Sequence, residues 1–218
     1  MSVPEAATKG RAQLAAEFAT LYVVVPLLMA FALPPTTMFP MLFAVTLVGI
    51  ALLHRTPGFR WLDLLKGRVD WIMVALFGLS SLAVGYAVIR IIAPGAEFAL
   101  ARRDPARLAM IFLLYPLLSA LPQELLFRPL FFRRYAALLP RCRFAIVINA
   151  AVFSLAHLMY WSWIVAVMTF AGGLVFAAAY ELRRSFPFAL ALHAVAGWAV
   201  FGVGLGILFY SGNVGRPF

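Results

Sequence analysis

Long apolar stretches alternate with short segments of charged residues, proline and glycine along most of the chain. A transmembrane helix needs about 20 consecutive, mostly apolar residues to cross the hydrocarbon core of a bilayer. Seven stretches come close to that length or exceed it. We predict membrane-spanning helices at about residues 14–34, 37–53, 71–93, 108–129, 144–161, 163–181 and 187–210.

The composition favours the same interpretation. Hydrophobic residues make up 65% of the 218 positions and charged residues only 12%, with a mean hydropathy of +0.97. Soluble domains average about 25% charged residues, so a water-soluble protein of this size could not bury so much apolar surface. We therefore predict an all-α fold, a polytopic helical bundle whose surroundings are the lipid bilayer.

The basic residues fall mainly on one side of this topology. The side of the N-terminus carries twelve of them: Lys9, Arg11, Arg55, Arg60, Lys66, Arg68, Arg133, Arg134, Arg141, Arg143, Arg183 and Arg184. The other side carries four: Arg102, Arg103, Arg107 and Arg216. Because cytoplasmic loops are rich in Lys and Arg, we predict a cytoplasmic N-terminus. The same distribution accounts for the net charge of +10, and we expect no nucleic-acid partner.

We divide the chain at the loop before the fourth span. Residues 1–106 are predicted to form an N-terminal membrane region with three spans, and residues 107–212 a core with four. The segment 54–68 mixes leucine and aromatic residues with basic ones, which is typical of an amphipathic helix on the membrane surface. The single cysteine, Cys142, excludes an intramolecular disulfide.

Few ionisable residues lie inside the predicted spans. Charge at bilayer depth is costly, so such residues usually face a protein interior or a wet cavity and indicate function. Glu17 and Arg90 lie near span ends, where long side chains reach the interface, and we interpret both as structural.

Glu124 and Arg128 lie deeper in the fourth span. Their i,i+4 spacing puts them on one helix face, where they can pair, and Arg128 is expected to keep the carboxylate ionised. The pair belongs either to a functional site or to a contact that only locks helix packing. Pro122, just before Gln123, is expected to kink this helix and free a backbone carbonyl nearby.

Two histidines add imidazole groups at membrane depth, His157 on the fifth span and His193 on the seventh. A carboxylate and a histidine can hold a water molecule and take its proton, and a second histidine can donate to the developing oxyanion. The 1.5 Å rise per residue gives Glu124 and His157 an axial offset on the order of 10 Å. Tilted helices, or a fifth span that starts deeper, are needed to bring them together.

The same residues are also compatible with a serine protease, a metal site or a proton relay. Ser154 shares a helix with His157, but such neighbours rarely have the geometry of a nucleophile and its base. The zinc signature His-Glu-x-x-His is absent. Glu124, His157 and His193 nevertheless offer one oxygen and two nitrogen ligands, so a divalent metal is an alternative to our main expectation of no cofactor. A proton relay through the same three residues in a small transporter is a further alternative.

Three short motifs resemble those of the CPBP family of intramembrane proteases, which includes the type II CAAX prenyl endopeptidases and the bacterial Abi proteins. Gln123-Glu124-Leu125-Leu126-Phe127-Arg128 is similar to the Glu-Glu-x-x-x-Arg motif of that family. Phe153-x-x-x-His157 matches its second motif, and His193-x-x-x-Gly197 resembles its last, His-x-x-x-Asn or Asp. The resemblance covers about residues 108–210 and includes the order of the motifs and their placement on separate spans.

This resemblance implies a membrane-embedded endopeptidase. It assigns Glu124 and Arg128 to the supporting pair, His157 to water activation and His193 to the oxyanion. Two positions depart from the family pattern. Gln123 stands where the family has its catalytic glutamate, and a glutamine amide cannot accept a proton at neutral pH. Gly197 stands where the family has an amide or carboxylate.

We therefore predict an endopeptidase that uses Glu124, His157 and His193 as catalytic residues, with Gln123, Arg128 and Gly197 in supporting roles. Its substrate would be a membrane-associated peptide or protein, cut at or near the cytoplasmic leaflet. The alternative is a proteolytically inactive relative that binds membrane peptides or acts as a scaffold. The expected location is a bacterial cytoplasmic membrane.

Overall fold

Seven long helices form the molecule in a computed structural model that describes residues 3–217. The spans are Gly10–Phe31, Pro35–His54, Trp71–Ile92, Pro105–Arg134, Arg143–Tyr160, Trp163–Glu181 and Phe186–Val203. The described residues contain no strand, so the predicted all-α polytopic bundle is confirmed. The side chains of residues 3–9 and 142 lie outside the described part, and with them the Lys9 and Cys142 side chains.

The span boundaries differ from the prediction at two places. The fourth span was expected at 108–129 but is 30 residues long and runs to Arg134, whose half-buried side chain binds Glu17 of the first span. The seventh was expected to reach residue 210 but ends at Val203. Gly204 follows with φ of 104°, a left-handed conformation that ends helices, and a short helix, Gly206–Phe209, comes next.

The fourth span is not a regular α-helix. It consists of α-helix Pro105–Tyr115, π-helix Pro116–Ala120, α-helix Leu121–Leu125 and π-helix Leu126–Arg134. Prolines at 116 and 129 lie within the two π-helical segments, where their missing N–H groups disturb the i→i+4 pattern.

Two backbone carbonyls of the second π-helical segment accept hydrogen bonds from side chains of other spans. The Tyr22 hydroxyl donates to the Leu126 carbonyl at 2.7 Å, and the Asn149 amide donates to the Phe127 carbonyl at 2.6 Å. Pro122 lies in the short α-helical segment between the two π-helical ones, and the kink expected from it stays a prediction.

The surface segment 54–68 is not the continuous amphipathic helix that was predicted. It contains one 3₁₀ helix, Trp61–Leu65, because Pro57 and the left-handed glycines Gly58 and Gly67 interrupt any longer helix. Leu62 and Leu65 are nevertheless 64% and 77% exposed, as expected of side chains that contact lipid.

The two ends of the bundle are distinguished by their contacts. At the arginine-rich end, Arg134 binds Glu17 through two hydrogen bonds of 2.7 and 3.0 Å, and Arg183 reaches Asp70 at 3.3 Å. At the opposite end, the Trp161 indole donates to the Ala30 carbonyl at 3.3 Å. The cytoplasmic location of the arginine-rich end remains a prediction.

The seventh span occupies the centre of the bundle, since 50% of its most apolar window is buried, against 17% for the third span. The fifth and sixth spans approach closely at Gly173, where an added Cβ would lie 3.0 Å from the Ala150 Cα. Aromatic rings fill much of the core. The first three spans pack directly on the last four, for example through Tyr22 and Leu126, and the division near residue 106 stays a prediction.

Candidate active site

A buried ion pair lies inside the fourth span. Glu124 and Arg128 are both completely buried. The Arg128 Nε donates to Glu124 Oε2 at 2.9 Å and its Nη2 donates to Oε1 at 3.2 Å. The remaining Nη1 donates to the Asn149 side-chain oxygen on the fifth span. The guanidinium therefore holds the carboxylate by two parallel bonds, the geometry that arginine favours.

His193 connects this pair to the seventh span. Its Nδ1 lies 2.9 Å from Glu124 Oε1. Since Arg128 keeps the carboxylate ionised, Nδ1 carries the hydrogen and donates it. The imidazole stacks on Phe176 with ring centroids 4.8 Å apart and meets Phe153 edge-on at 5.6 Å. These contacts fix the ring plane and leave Nε2 as the second functional atom.

His157 lies where the fifth helix ends, one residue after Ala156. Its Nδ1 is 2.8 Å from the Phe153 carbonyl. Because a carbonyl only accepts hydrogen bonds, Nδ1 carries the hydrogen, and in the neutral ring Nε2 is a free acceptor. The ring lies between Phe153, at a centroid distance of 4.8 Å, and Tyr160, at 6.1 Å.

A cavity of about 740 Å³ adjoins these groups and is lined by residues from all seven spans. Gln123, His157, His193 and Gly197 belong to its wall. Most of the other lining residues are apolar, among them Met29, Met41, Leu114, Val175 and Phe201. Polar groups thus converge at one part of an otherwise apolar chamber, which is the usual form of a ligand site.

Gln123 is oriented within this wall. Its side-chain Nε2 donates to the Ser119 hydroxyl at 2.9 Å, so the amide oxygen remains as an acceptor. Glu124, in contrast, is absent from the cavity lining and is buried behind it. It is linked to the cavity through His193.

The cavity lies in the half of the bundle away from the arginine-rich end. Its lining extends to Met38, Tyr160 and Ser211, at the ends of spans on the opposite side. With the predicted orientation, this half faces the outer leaflet. Gln123, Phe127 and Phe176 also line the chamber and lie in the half of their spans nearer to the arginine-rich end, so the leaflet at which cleavage takes place stays a prediction.

The structure brings most of the predicted site residues together. Glu124, Arg128 and His193 are in direct contact, and Gln123, His157 and Gly197 share the cavity wall. No hydrogen bond joins Glu124 to His157 among the described residues, and only His157 of the two lines the cavity.

Three further residues of the site were not predicted: Tyr115, Ser119 and Asn149. Asn149 alone had a usable sequence signal, since it is a polar amide within an apolar span. The other two are ordinary residues of a membrane helix, and only the tertiary fold gives them a place at the site.

Residues 3–217 contain no group of three His, Cys, Asp or Glu side chains arranged to hold a metal ion. The alternative ligand set of Glu124, His157 and His193 is therefore not formed. Both carboxylate oxygens of Glu124 are already engaged by Arg128, and His193 also binds one of them, which explains why the set does not assemble.

Taken together, the fold and the cluster define a multi-pass membrane protein with a carboxylate–imidazole pair behind an intramembrane cavity. Residues 105–199 match the family model described as Type II CAAX prenyl endopeptidase Rce1-like. The match covers a little under half of the chain and confirms the predicted resemblance to the CPBP proteases. At the family level it supports an intramembrane protease of the CAAX type.

The matched region begins with the fourth span and ends within the seventh, so it contains all six residues predicted for the site. No curated protein and no solved structure matches the chain.

Proposed function

We propose that the protein is an intramembrane endopeptidase in which histidine side chains activate water for hydrolysis of a peptide bond. The observation that carries the proposal is the pair of imidazoles on the wall of an apolar cavity. Each has its Nδ1 bonded to a fixed partner, Phe153 or Glu124, so Nε2 is the reactive atom of each ring.

His157 is the proposed base. Its neutral ring offers Nε2 as an acceptor, and the Gln123 amide oxygen on the same wall can hold a water molecule for attack. The water oxygen bonds to the carbonyl carbon while its proton passes to His157 Nε2, and the carbonyl oxygen becomes an oxyanion. The imidazolium then returns the proton to the leaving amine nitrogen, so the peptide C–N bond breaks without net proton change.

His193 is the proposed oxyanion donor. Its Nδ1–H is bonded to Glu124, so Nε2 is the atom that donates to the oxyanion, in the form of the ring that carries a hydrogen on both nitrogens. We therefore propose Glu124 as a positioning residue that acts through His193, in place of the direct water activation expected from the motif. Arg128 and Asn149 hold the carboxylate in place.

The cavity suits a segment of membrane protein or lipophilic peptide. A chamber of about 740 Å³ falls in the range of ligand sites and accommodates several side chains beside a scissile bond. Several residues, including Val84, Leu114 and Leu118, both line it and are exposed on the lipid-facing surface. A substrate can therefore arrive from the bilayer itself.

Reconstituted protein should cleave at least one peptide from a panel of fluorogenic transmembrane segments. His157→Ala and His193→Ala are expected to lower the rate by about 100-fold or more, within the usual effect of general acid–base catalysis. His54→Ala is the matched control. His54 is the remaining histidine of the chain; it ends the second span and does not line the cavity. Undiminished cleavage in the His157→Ala protein would refute the assignment.

The presence of glutamine at position 123 favours one alternative to the endopeptidase, a peptide-binding protein that does not hydrolyse its ligand, because the amide cannot accept the proton of water. Photo-crosslinking of the same peptide panel separates the two functions. Crosslinking at the cavity with no product from wild-type protein would support binding without hydrolysis.

A further inference from the structure

Gly197 lies in the interior of the seventh helix, one turn after His193, so the two residues share a face. Glycine at such a position destabilises a helix by up to about 1 kcal/mol relative to alanine. A structural reason for the small residue is present on the fourth span. A Cβ added to Gly197 would overlap the Tyr115 ring at Cε1 and Cζ and would lie 2.7 Å from its hydroxyl oxygen.

The Tyr115 side chain thus fills the space that a side chain at position 197 would occupy. Tyr115 lines the same cavity as Gln123 and His193. Its ring meets the His193 ring edge-on, with centroids 6.0 Å apart, and meets the Phe201 ring at 5.7 Å. Contacts on both sides hold the phenol in one orientation beside the imidazole.

The local backbone explains how Tyr115 reaches this position. It is the last residue of the α-helix Pro105–Tyr115, and the π-helical segment Pro116–Ala120 starts immediately after it. A π-helical turn changes the direction of the side chains around it and occurs frequently at functional sites. Here it brings both Tyr115 and Ser119 to the cavity wall.

We propose that the Tyr115 hydroxyl donates a second hydrogen bond to the carbonyl oxygen of the scissile peptide, beside His193. This inference rests on the proposed endopeptidase function and names a further catalytic residue for it. A phenol is neutral and keeps its hydrogen in an apolar chamber, so it can donate before and after the oxyanion forms. His193 Nε2 donates only when both ring nitrogens carry a hydrogen, whereas Tyr115 supplies a donor that needs no proton transfer.

The decisive variant is Tyr115→Phe, which retains the ring and its contacts and removes only the hydroxyl. Loss of one oxyanion donor should lower kcat by about 100-fold or more, with KM nearly unchanged, because the bond strengthens in the transition state. Tyr86→Phe is the matched control, since this phenol lies in the third span and outside the cavity. Thermal unfolding of each variant monitors folding.

Two further variants test whether a side chain at position 197 can replace Tyr115 as the hydrogen-bond donor. Tyr115→Ala vacates the space, and Tyr115→Ala/Gly197→Asn places an amide donor in it. The double variant should cleave faster than Tyr115→Ala alone. Equal rates for these two proteins, or a Tyr115→Phe protein with the kcat of wild type, would overturn the assignment.

The outcomes also separate this inference from the function on which it rests. Cleavage by wild type that is lost in His157→Ala and retained in Tyr115→Phe refutes the role of Tyr115 alone. Absence of cleavage by wild type refutes the endopeptidase and the role of Tyr115 with it.

Discussion

Arg128 is buried with Glu124 and bonded to it twice. Arg128→Leu would leave an uncompensated carboxylate in the interior, which typically costs about 3–5 kcal/mol of stability. Arg184→Leu is the control. Arg184 is 64% exposed and pairs with Glu181 at 3.4 Å, and such exposed pairs contribute about 0–1 kcal/mol.

Both variants can be compared by thermal unfolding in detergent micelles. The Arg128→Leu protein should unfold at a markedly lower temperature than the control. Equal unfolding temperatures would mean that Glu124 is neutralised in another way, and they would contradict the buried ion pair.

Substitution of Gln123 is expected to raise the cleavage rate. Gln123→Glu places a proton acceptor on the cavity wall, next to Ser119, while the side-chain volume stays nearly the same. General base catalysis contributes about 10²–10⁴-fold, so we expect a rise in cleavage rate of at least about tenfold, measured with the same peptide panel. A rate equal to or below that of wild type would show that position 123 does not contact the attacking water.

At the residue scale, the motifs predicted the Glu124–Arg128 pair and its meeting with His193. They did not predict that Glu124 lies behind the cavity while Gln123 faces it. Adjacent helical residues point about 100° apart, so only one of them can face a given wall, and which one it is depends on how the helix is rotated by packing. The sequence contains no separate signal for that rotation.

The fifth and sixth helices approach each other closely at Gly173. Gly173→Val adds a branched side chain where even a Cβ lies 3.0 Å from the Ala150 Cα, and backbone atoms cannot move aside as a flexible side chain can. Overpacking of this kind costs about 1–3 kcal/mol. Ala151→Val is the control, because Ala151 lies on the same fifth span but is exposed.

Unfolding temperatures of the two valine variants in micelles provide the measurement. The Gly173→Val protein should also lose cleavage activity, since the same Cβ would lie 3.3 Å from the Phe153 ring that borders both histidines. Full stability and activity would show that the two helices separate without cost.

At the scale of elements, hydropathy located all seven spans but not the π-helical segments of the fourth. Besides Pro105 at its start, that helix contains prolines at positions 116, 122 and 129, and each of these removes a backbone donor. Tyr22 and Asn149, from distant parts of the chain, donate hydrogen bonds to the Leu126 and Phe127 carbonyls of the second π-helical segment. These partners of the irregular backbone are tertiary and not local.

The orientation of the whole molecule determines the face from which the cavity is reached. Single cysteines can report it in a Cys142→Ala background. Asn213→Cys marks the end near the cavity, and Leu62→Cys marks the arginine-rich end, where residue 62 is exposed. With a cytoplasmic N-terminus, an impermeant maleimide should label position 213 in intact cells and position 62 only after permeabilisation. The reverse pattern would place the cavity on the cytoplasmic side.

For the whole molecule, the composition and the spacing of apolar runs were sufficient to predict a seven-span bundle, because a helix needs about 20 mostly apolar residues to cross the bilayer. The cavity could not be predicted in the same way. It is bounded by all seven spans, including the four that carry none of the predicted motifs, and its extent depends on helix tilts that no single span encodes.

Because the Tyr115 ring occupies the space beside Gly197, substitutions at these two positions can be accepted in only one order. A larger residue at 197 cannot be accepted while the phenol occupies its space, whereas shortening Tyr115 first leaves only a void that a later substitution can fill. The two positions should therefore change as a pair along a lineage, with position 115 changing first. Descendants that carry a bulky residue at both positions would be eliminated by selection.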